Sequence, residues 1–352
     1  MRFRLPRSPW ARGALIVPFL AGSIVLLWWR GPDWQTVLDA FTIVHWWWIV
    51  AALALNLGSV VVRALAWRTA VNQALPDSQP AFPRIFAAFA IGLLANAVLP
   101  GRIGEVARVA VLTRGQPRGH GRTASLLGTV FAHRLFDLIP ALLLVGYVLL
   151  TARIPDWAML SLMLVSAIGV ILFVLAIFAA RRRERETDTF VSPFRRLLAM
   201  ARQGLRVLSS PLAAITAILL QCVGWFLQLI AVWLAMRAFG IDAPLPAAGL
   251  VLLLMNVATV FPLWPGNIGL LQAAVALPLV SYGVAYARGF AYGLGLQVIE
   301  MSVGVGVGLI FLAREGLSLA TLKDMPEASD LPTEQPDPEG SEPERASAGV
   351  PN

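Results

Sequence analysis

The chain of 352 residues is 58% hydrophobic and only 14% charged, whereas a soluble domain of this length needs roughly 25% charged residues to cover its surface. This composition excludes a soluble globular fold and predicts an all-α polytopic membrane protein. The net charge of +8 is the sum of two opposite parts: residues 1–314 have 26 Arg and 11 acidic residues, whereas residues 315–352 have two basic and nine acidic residues. The arginines cluster at the ends of apolar stretches, so they do not indicate a nucleic-acid-binding module.

Apolar stretches long enough to cross the bilayer recur along the chain. A membrane helix needs roughly 17–25 such residues to cross about 30 Å of hydrocarbon. The first stretch follows four arginines and lacks a small-residue cleavage site, so we expect an uncleaved helix and not a signal peptide. About six full spans are predicted, at 13–29, 41–62, 126–150, 157–179, 211–236 and 288–313. Tryptophans near the ends of these stretches predict an aromatic belt, among them Trp46, Trp47, Trp67 and Trp157.

Two further apolar regions, 81–113 and 246–281, are each interrupted at the centre by proline and glycine. If both are re-entrant hairpins and the N-terminus is inside, the cytoplasmic segments hold 21 of the 28 Lys and Arg. Treating 85–100 as a full span would move two arginine-rich loops outside, against the positive-inside rule. We therefore predict two re-entrant hairpins, with breaks at Pro100, Gly101, Gly104, Pro265, Gly266 and Gly269.

The two predicted hairpins belong to an internal repeat. The Pro-Gly-x-Ile-Gly of 100–104 recurs at 265–269, an offset of 165 residues, and the flanking spans recur at similar offsets. The first unit enters its hairpin from inside and the second from outside, which is the inverted repeat common in secondary transporters. We predict a membrane domain over 1–316, with repeat 1 at about 41–150 and repeat 2 at about 211–313.

Two peripheral segments complete the predicted domain organisation. In the loop 181–208, apolar residues at helical spacing lie opposite arginines, so it is either an amphipathic helix on anionic headgroups or a basic loop that sets orientation. The acidic tail 317–352 is rich in Pro, Glu, Asp and Ser and is predicted to be disordered.

The first hairpin contains the strongest functional pattern. Arg102, Glu105 and Arg108 are spaced three apart, so they share one face if the second arm is helical. Glu105 can pair with either arginine, which leaves one positive charge, and the arm begins with free backbone N–H groups. This arrangement suits an anion such as a lipid phosphate, because ionisable groups at membrane depth usually serve function. The alternative is a salt-bridge network that only stabilises the hairpin.

The remaining intramembrane polar residues give weaker signals. Arg134 and Asp137 can bridge one another on one helical face, and His133 is expected to be a polar neighbour because no second ligand stands at metal spacing. Glu300 has no basic residue in its own span, so it must pair across helices, meet water or be protonated. Four amides in apolar arms predict interhelical hydrogen bonds, namely Asn96, Gln228, Asn256 and Gln272.

Several of these residues carry a resemblance to a known family. Asn96, Leu99-Pro100-Gly101-Arg102-Ile103-Gly104-Glu105 and Arg108 resemble the first signature of the flippase-like membrane domain, which is the transmembrane region of lysylphosphatidylglycerol synthases and their stand-alone relatives. The rest of the resemblance, over roughly 13–320, lies in Arg134-x-x-Asp137, Pro265-Gly266-Asn267-Ile268-Gly269, Gln272-Ala273-Ala274 and Leu312-Ala313-Arg314-Glu315-Gly316.

The resemblance implies a plasma-membrane protein that moves lipids between leaflets, and relatives have been linked to aminoacylated, polyprenyl-linked or isoprenoid lipids. Gln272 stands where the family often has Glu, and His133 where an acidic residue often precedes the arginine. The aminoacyl-transferase domain of the two-part synthases is absent, so this chain is not expected to make the modified lipid.

The preferred prediction is a lipid translocase that uses no cofactor, metal or ATP, since no catalytic or nucleotide-binding motif is recognisable. The predicted substrate-binding residues are Asn96, Arg102, Glu105, Arg108, Arg134 and Asp137, with Gln272 and Glu300 secondary. The three arginines would attract a headgroup phosphate, while Glu105 and Asp137 hold those guanidiniums. The expected partners are membrane lipids with anionic headgroups, and both termini are expected in the cytoplasm. Two alternatives stay open, an enzyme or accessory factor of envelope lipid or glycolipid synthesis and a membrane scaffold.

Overall fold

A computed structural model describes residues 32–98, 103–114, 122–181, 210–260 and 267–317. The described residues form ten α-helices, one short 3-10 turn and no strand. The helices are α1 Trp34–Thr42, α2 Trp46–Ala74, α3 Phe82–Val98, α4 Gly104–Thr113, α5 Arg122–Thr151, α6 Asp156–Arg181, α7 Pro211–Ala238, α8 Leu245–Val260, α9 Leu270–Val280 and α10 Tyr286–Arg314. The predictions for 13–29, the loop 182–208 and the tail beyond 317 lie outside the described residues, as do those for the hairpin breaks Pro100, Gly101, Pro265 and Gly266. The predicted phosphate-binding residue Arg102 also lies outside them.

Four helices are long and apolar enough to cross a membrane, namely α2, α5, α7 and α10. A fifth long helix, α6, has a shorter apolar part at Asp156–Ile171. The predicted spans 126–150, 157–179, 211–236 and 288–313 each coincide with one of these helices. The chain is therefore an all-helical, multi-pass membrane protein.

The predicted span 41–62 differs from the structure at both ends. A separate helix, α1, begins at the Asp33 cap, whose carboxylate accepts hydrogen bonds from the Gln35 amide and the Thr36 hydroxyl. The following helix, α2, continues eleven residues past Arg63 to Ala74. Arg63 does not end the membrane helix because its side chain turns inward, where the guanidinium lies over the Trp225 ring.

The most extensive helix packing is between α2 and α7. At their crossing the Ser59 hydroxyl donates a hydrogen bond of 2.8 Å to the Gly224 carbonyl. A Cβ on Gly224 would lie 2.9 Å from Cγ of Arg63. The missing side chain at Gly224 therefore gives room for the Arg63 stem between the two helices.

Two pairs of short helices lie where the sequence predicts hairpins, α3 with α4 and α8 with α9. In the first pair the contacts run antiparallel, since Gly104 meets Asn96 while Arg108 meets Gly92. A Cβ on Gly104 would lie 2.0 Å from the Gly92 carbonyl oxygen, so only glycine allows this approach. At 1.5 Å per residue, α4 and α9 reach only about 15–17 Å, well short of the hydrocarbon thickness.

The last helix, α10, contacts both pairs. Gly308 packs against Ala90 and Leu94 of α3, while Gly289 and Gly293 pack against α9. Because small residues let membrane helices approach closely, the glycines of α10 allow both helix pairs to pack against this one helix.

The tryptophan pattern is partly as predicted. Trp46, Trp47 and Trp157 are exposed on the described surface, as an aromatic belt requires. Trp67 was predicted to join that belt, and this is wrong, because its side chain is fully buried. It donates a hydrogen bond of 3.1 Å to the Thr129 hydroxyl of α5 and belongs to the helical core.

A charged cavity between the helix pairs

A cavity of about 720 Å³ opens at the centre of the helical assembly. Its described lining comes from every helix except α1, so both helix pairs and the long helices contribute to it. The charged lining residues are Arg63, Arg108, Arg134, Asp137 and Glu300. Amide side chains add further polar surface, among them Asn56, Asn96, Gln228, Asn256 and Gln297.

Part of the cavity lining is apolar. Side chains of α5 and α6 contribute to it, including Leu138, Leu142, Val145, Leu162 and Val165. The cavity is therefore lined by both charged groups and hydrocarbon.

Arg134 is compensated by two carboxylates. Its Nη2 and Nε lie 2.8 and 2.9 Å from Oε1 of Glu105, and its Nη1 lies 3.7 Å from Oδ2 of Asp137. The predicted Arg134–Asp137 bridge is thus present, while Glu105 bonds to Arg134 of α5 and not to Arg108 of its own helix. The ion pair joins α4 to α5.

Arg108 has a different environment. Its side chain is only 1% exposed, and its guanidinium carbon lies 4.3 Å from the Phe89 ring centroid and 5.9 Å from that of Trp67. Its Nε and Nη1 are buried and have no hydrogen-bond partner. A buried charge without polar partners is expensive, so this side chain is suited to an anion that the cavity admits.

A polar network surrounds Asp137. Its Oδ1 accepts hydrogen bonds of 2.9 Å from Nε2 of Gln221 and 3.0 Å from Nε1 of Trp225, both on α7. His133, one turn earlier, is buried and lies 3.4 Å from the same Gln221 amide. Among the described residues no group of three His, Cys, Asp or Glu side chains lies close enough to hold a metal ion.

The second helix pair is polar but neutral at the corresponding place. Gly269, with φ 93°, caps α9, and its amide donates a hydrogen bond of 2.6 Å to Oε1 of Gln272. Gln272 is fully buried, and its Nε2 donates to Oε1 of Gln297 at 2.5 Å. The interhelical hydrogen bonding predicted for Gln272 is present, between α9 and α10.

The other predicted polar residues have partners in neighbouring elements. Glu300 accepts a hydrogen bond of 3.2 Å from Gln228 of α7, so it pairs across helices. Asn96 accepts a hydrogen bond of 2.9 Å from the Gly104 amide and thereby caps the start of α4.

The structure thus brings Asn96, Arg108, Arg134, Asp137 and Glu300 together on one cavity, with Glu105 beside it through Arg134. Arg63, which lies on the same cavity, was not predicted as a site residue. A signal for it exists, since Asn56, Ser59 and Arg63 are spaced three and four apart in the otherwise apolar stretch 46–67. That spacing places polar groups on one face, and all three line the cavity.

Comparison with known proteins gives a consistent family. The family described as Lysylphosphatidylglycerol synthase TM region matches residues 11–308. The chain is also similar to a UPF0104 membrane protein of Methanothermobacter thermautotrophicus, with 24% identity over 322 residues that cover 83% of this chain and 91% of the relative. No solved structure matches the chain significantly.

Proposed function

The chain belongs to the family of lysylphosphatidylglycerol synthase transmembrane regions, and on that premise we propose that it is a flippase, which moves an anionic or polyprenyl-linked lipid between the leaflets of the plasma membrane. The observation that carries this proposal is Arg108. It is a buried guanidinium beside a cavity, with two N–H donors that no described group accepts.

A buried arginine without acceptors is costly unless it receives a ligand. Arg108 of α4 lies beside the rings of Phe89 on α3 and Trp67 on α2, and the carboxylate nearest to it in sequence, Glu105, bonds to Arg134. A headgroup phosphate would supply the missing acceptors, because guanidinium and phosphate form strong paired hydrogen bonds.

The cavity also matches the two-part chemistry of a lipid. Its charged lining residues suit a headgroup, while its apolar lining residues, such as Leu142 and Val165, suit an acyl or prenyl chain. A cavity for a water-soluble anion would have no need of the apolar residues.

The topology that we propose for transport has two re-entrant hairpins, α3–α4 and α8–α9, in an inverted repeat. A contact between long helices supports it. Ser59 and Gly224, which bond to one another, are 165 residues apart, the same offset as the two Pro-Gly-x-Ile-Gly sequences. Equivalent residues of a two-fold repeat meet only at its axis, so α2 and α7 would cross on that axis, with the hairpins on either side. The arginine distribution supports cytoplasmic termini.

Arg108→Gln tests the proposal. We would reconstitute the purified full chain in phosphatidylcholine vesicles and follow fluorescently labelled phosphatidylglycerol with a membrane-impermeant quencher. Wild type should accelerate leaflet exchange and Arg108→Gln should abolish most of that acceleration, while Arg114→Gln, at the exposed end of the same helix, should behave as wild type.

The result against the proposal would be wild-type exchange in Arg108→Gln, or no exchange by the wild type for any lipid of a headgroup panel. Each variant must elute as a single species and unfold as cooperatively as the wild type, so that lost insertion is not read as lost transport.

A further inference from the structure

Arg63 of α2 lies on the same cavity as Arg108. Its guanidinium carbon lies 5.3 Å from the Trp225 ring centroid, and its stem fills the space left by Gly224. Its Nε is buried and has no hydrogen-bond partner. Arg63 therefore shares with Arg108 an aromatic support, a place on the cavity and an unused N–H donor.

The third arginine of the cavity differs from these two. Arg134 already faces Glu105 and Asp137, so its charge is compensated before any ligand arrives. Within the described part of the chain, the ion pairs closer than 4.0 Å involve Arg134 and Arg237, and neither Arg63 nor Arg108 takes part in one.

The aromatic supports orient the two free guanidiniums. Stacking on a ring uses the face of the guanidinium and leaves its in-plane N–H groups available for an anion. The support under Arg63 is itself fixed, because Trp225 donates its Nε1 hydrogen bond to Asp137. Asp137 thus acts through Trp225 to position Arg63.

We infer that Arg63 and Arg108 together bind the phosphate of the transported lipid, while Arg134, compensated by carboxylates, is a positioning residue. This inference rests on the proposed function and revises the set of phosphate-binding arginines within it. Phosphate is the shared chemistry, and it can come from a phosphomonoester or a phosphodiester headgroup.

The test compares variants of two arginines on the same helix. Arg68 lies five residues after Arg63 on α2 and also has a buried Nε without a partner, but it does not line the cavity. In the vesicle assay the probes would be labelled phosphatidic acid, which is a monoester, and labelled phosphatidylglycerol, which is a diester, each over a range of concentrations.

Arg63→Gln should raise the half-saturating concentration of at least one phosphate probe on the order of ten- to a hundredfold, the loss expected for charge-assisted hydrogen bonds. Arg63→Lys should recover part of that loss because it keeps the charge, and Arg68→Gln should match the wild type. The probe that is affected more identifies the monoester or the diester as the preferred headgroup.

Arg63→Met separates binding from packing, because it keeps an apolar stem against Gly224 and Trp225 while it removes the N–H donors. If Arg63→Met and Arg63→Gln, both cooperatively folded, showed the concentration dependence of Arg68→Gln, the inference would be overturned while the proposed function stood. Absence of exchange by the wild type would overturn both.

Discussion

Gly104→Ala probes the close approach of α3 and α4, on which the position of Arg108 depends. A Cβ at position 104 would lie 2.0 Å from the Gly92 carbonyl oxygen and 2.6 Å from Cγ of Asn96, whereas ordinary contacts begin at 3.4 Å. The carbonyl oxygen is part of the α3 backbone and cannot turn away, so the helices must separate.

The expected cost follows from two terms. Overpacking that forces backbone shifts costs about 1–3 kcal/mol. Separation would also weaken the 2.9 Å hydrogen bond from the Gly104 amide to Asn96, worth about 1 kcal/mol. We expect Gly104→Ala to lower the free energy of unfolding by about 2–4 kcal/mol and to reduce lipid exchange, because Arg108 would move with α4.

Unfolding of the purified protein in increasing SDS would measure this difference. Gly146→Ala in α5 and Gly306→Ala in α10 are matched controls, since a Cβ at either position meets no atom within 4 Å. Both should be neutral or stabilising by up to about 1 kcal/mol, because Ala is the better helix former. The reasoning is refuted if Gly104→Ala is as stable and as active as these controls.

Three further predictions concern contacts that join helices. In a double-mutant cycle, Glu105→Gln and Arg134→Gln should show a stabilising coupling energy of about 0.2–1 kcal/mol in SDS unfolding, because the pair is partly exposed; additive effects, with no coupling, would contradict the ion pair. Gln272→Glu should be near wild type in stability at acidic pH and less stable as the pH rises, because only a protonated carboxyl can donate to the facing glutamine; a pH-independent stability would contradict this. Trp67→Phe should cost about 1 kcal/mol or more through its lost hydrogen bond, whereas Trp47→Phe, on the exposed surface, should be neutral, and equal effects would restore both residues to the belt.

The sequence was sufficient for the features that local chemistry decides. Apolar runs predicted the long helices, and proline and glycine between two apolar arms predicted the short pairs α3–α4 and α8–α9. Charged residues within apolar stretches predicted a polar site inside the membrane domain, and three of them, Arg108, Arg134 and Asp137, line one cavity. Each of these predictions needed only hydropathy, backbone preference and the cost of charge in lipid.

Features that depend on the neighbouring helix were not predictable in the same way. A charge in an apolar run reads as a helix end, yet Arg63 lies within α2 because Gly224 and Trp225 of another helix receive it. The spacing of Glu105 allowed a partner on its own helix, but its carboxylate reaches Arg134 of α5. Both outcomes depend on which faces of separate helices meet. The spacing of residues along one helix shows which side chains share a face, but not which neighbouring helix that face contacts.

The two halves of the proposed repeat differ in charge at the cavity. Under the proposed repeat offset of 165, Arg63 corresponds to Gln228, which bonds to Glu300. In the second pair Gln272 is bonded to Gly269 and Gln297, and these contacts involve only neutral groups. Among the described residues, the cavity guanidiniums without an ion pair, Arg63 and Arg108, belong to repeat 1. Under the proposed function and the proposed inverted repeat, a single phosphate would therefore be bound on one side of the pseudo-two-fold axis, and access to that site would have to alternate between the leaflets.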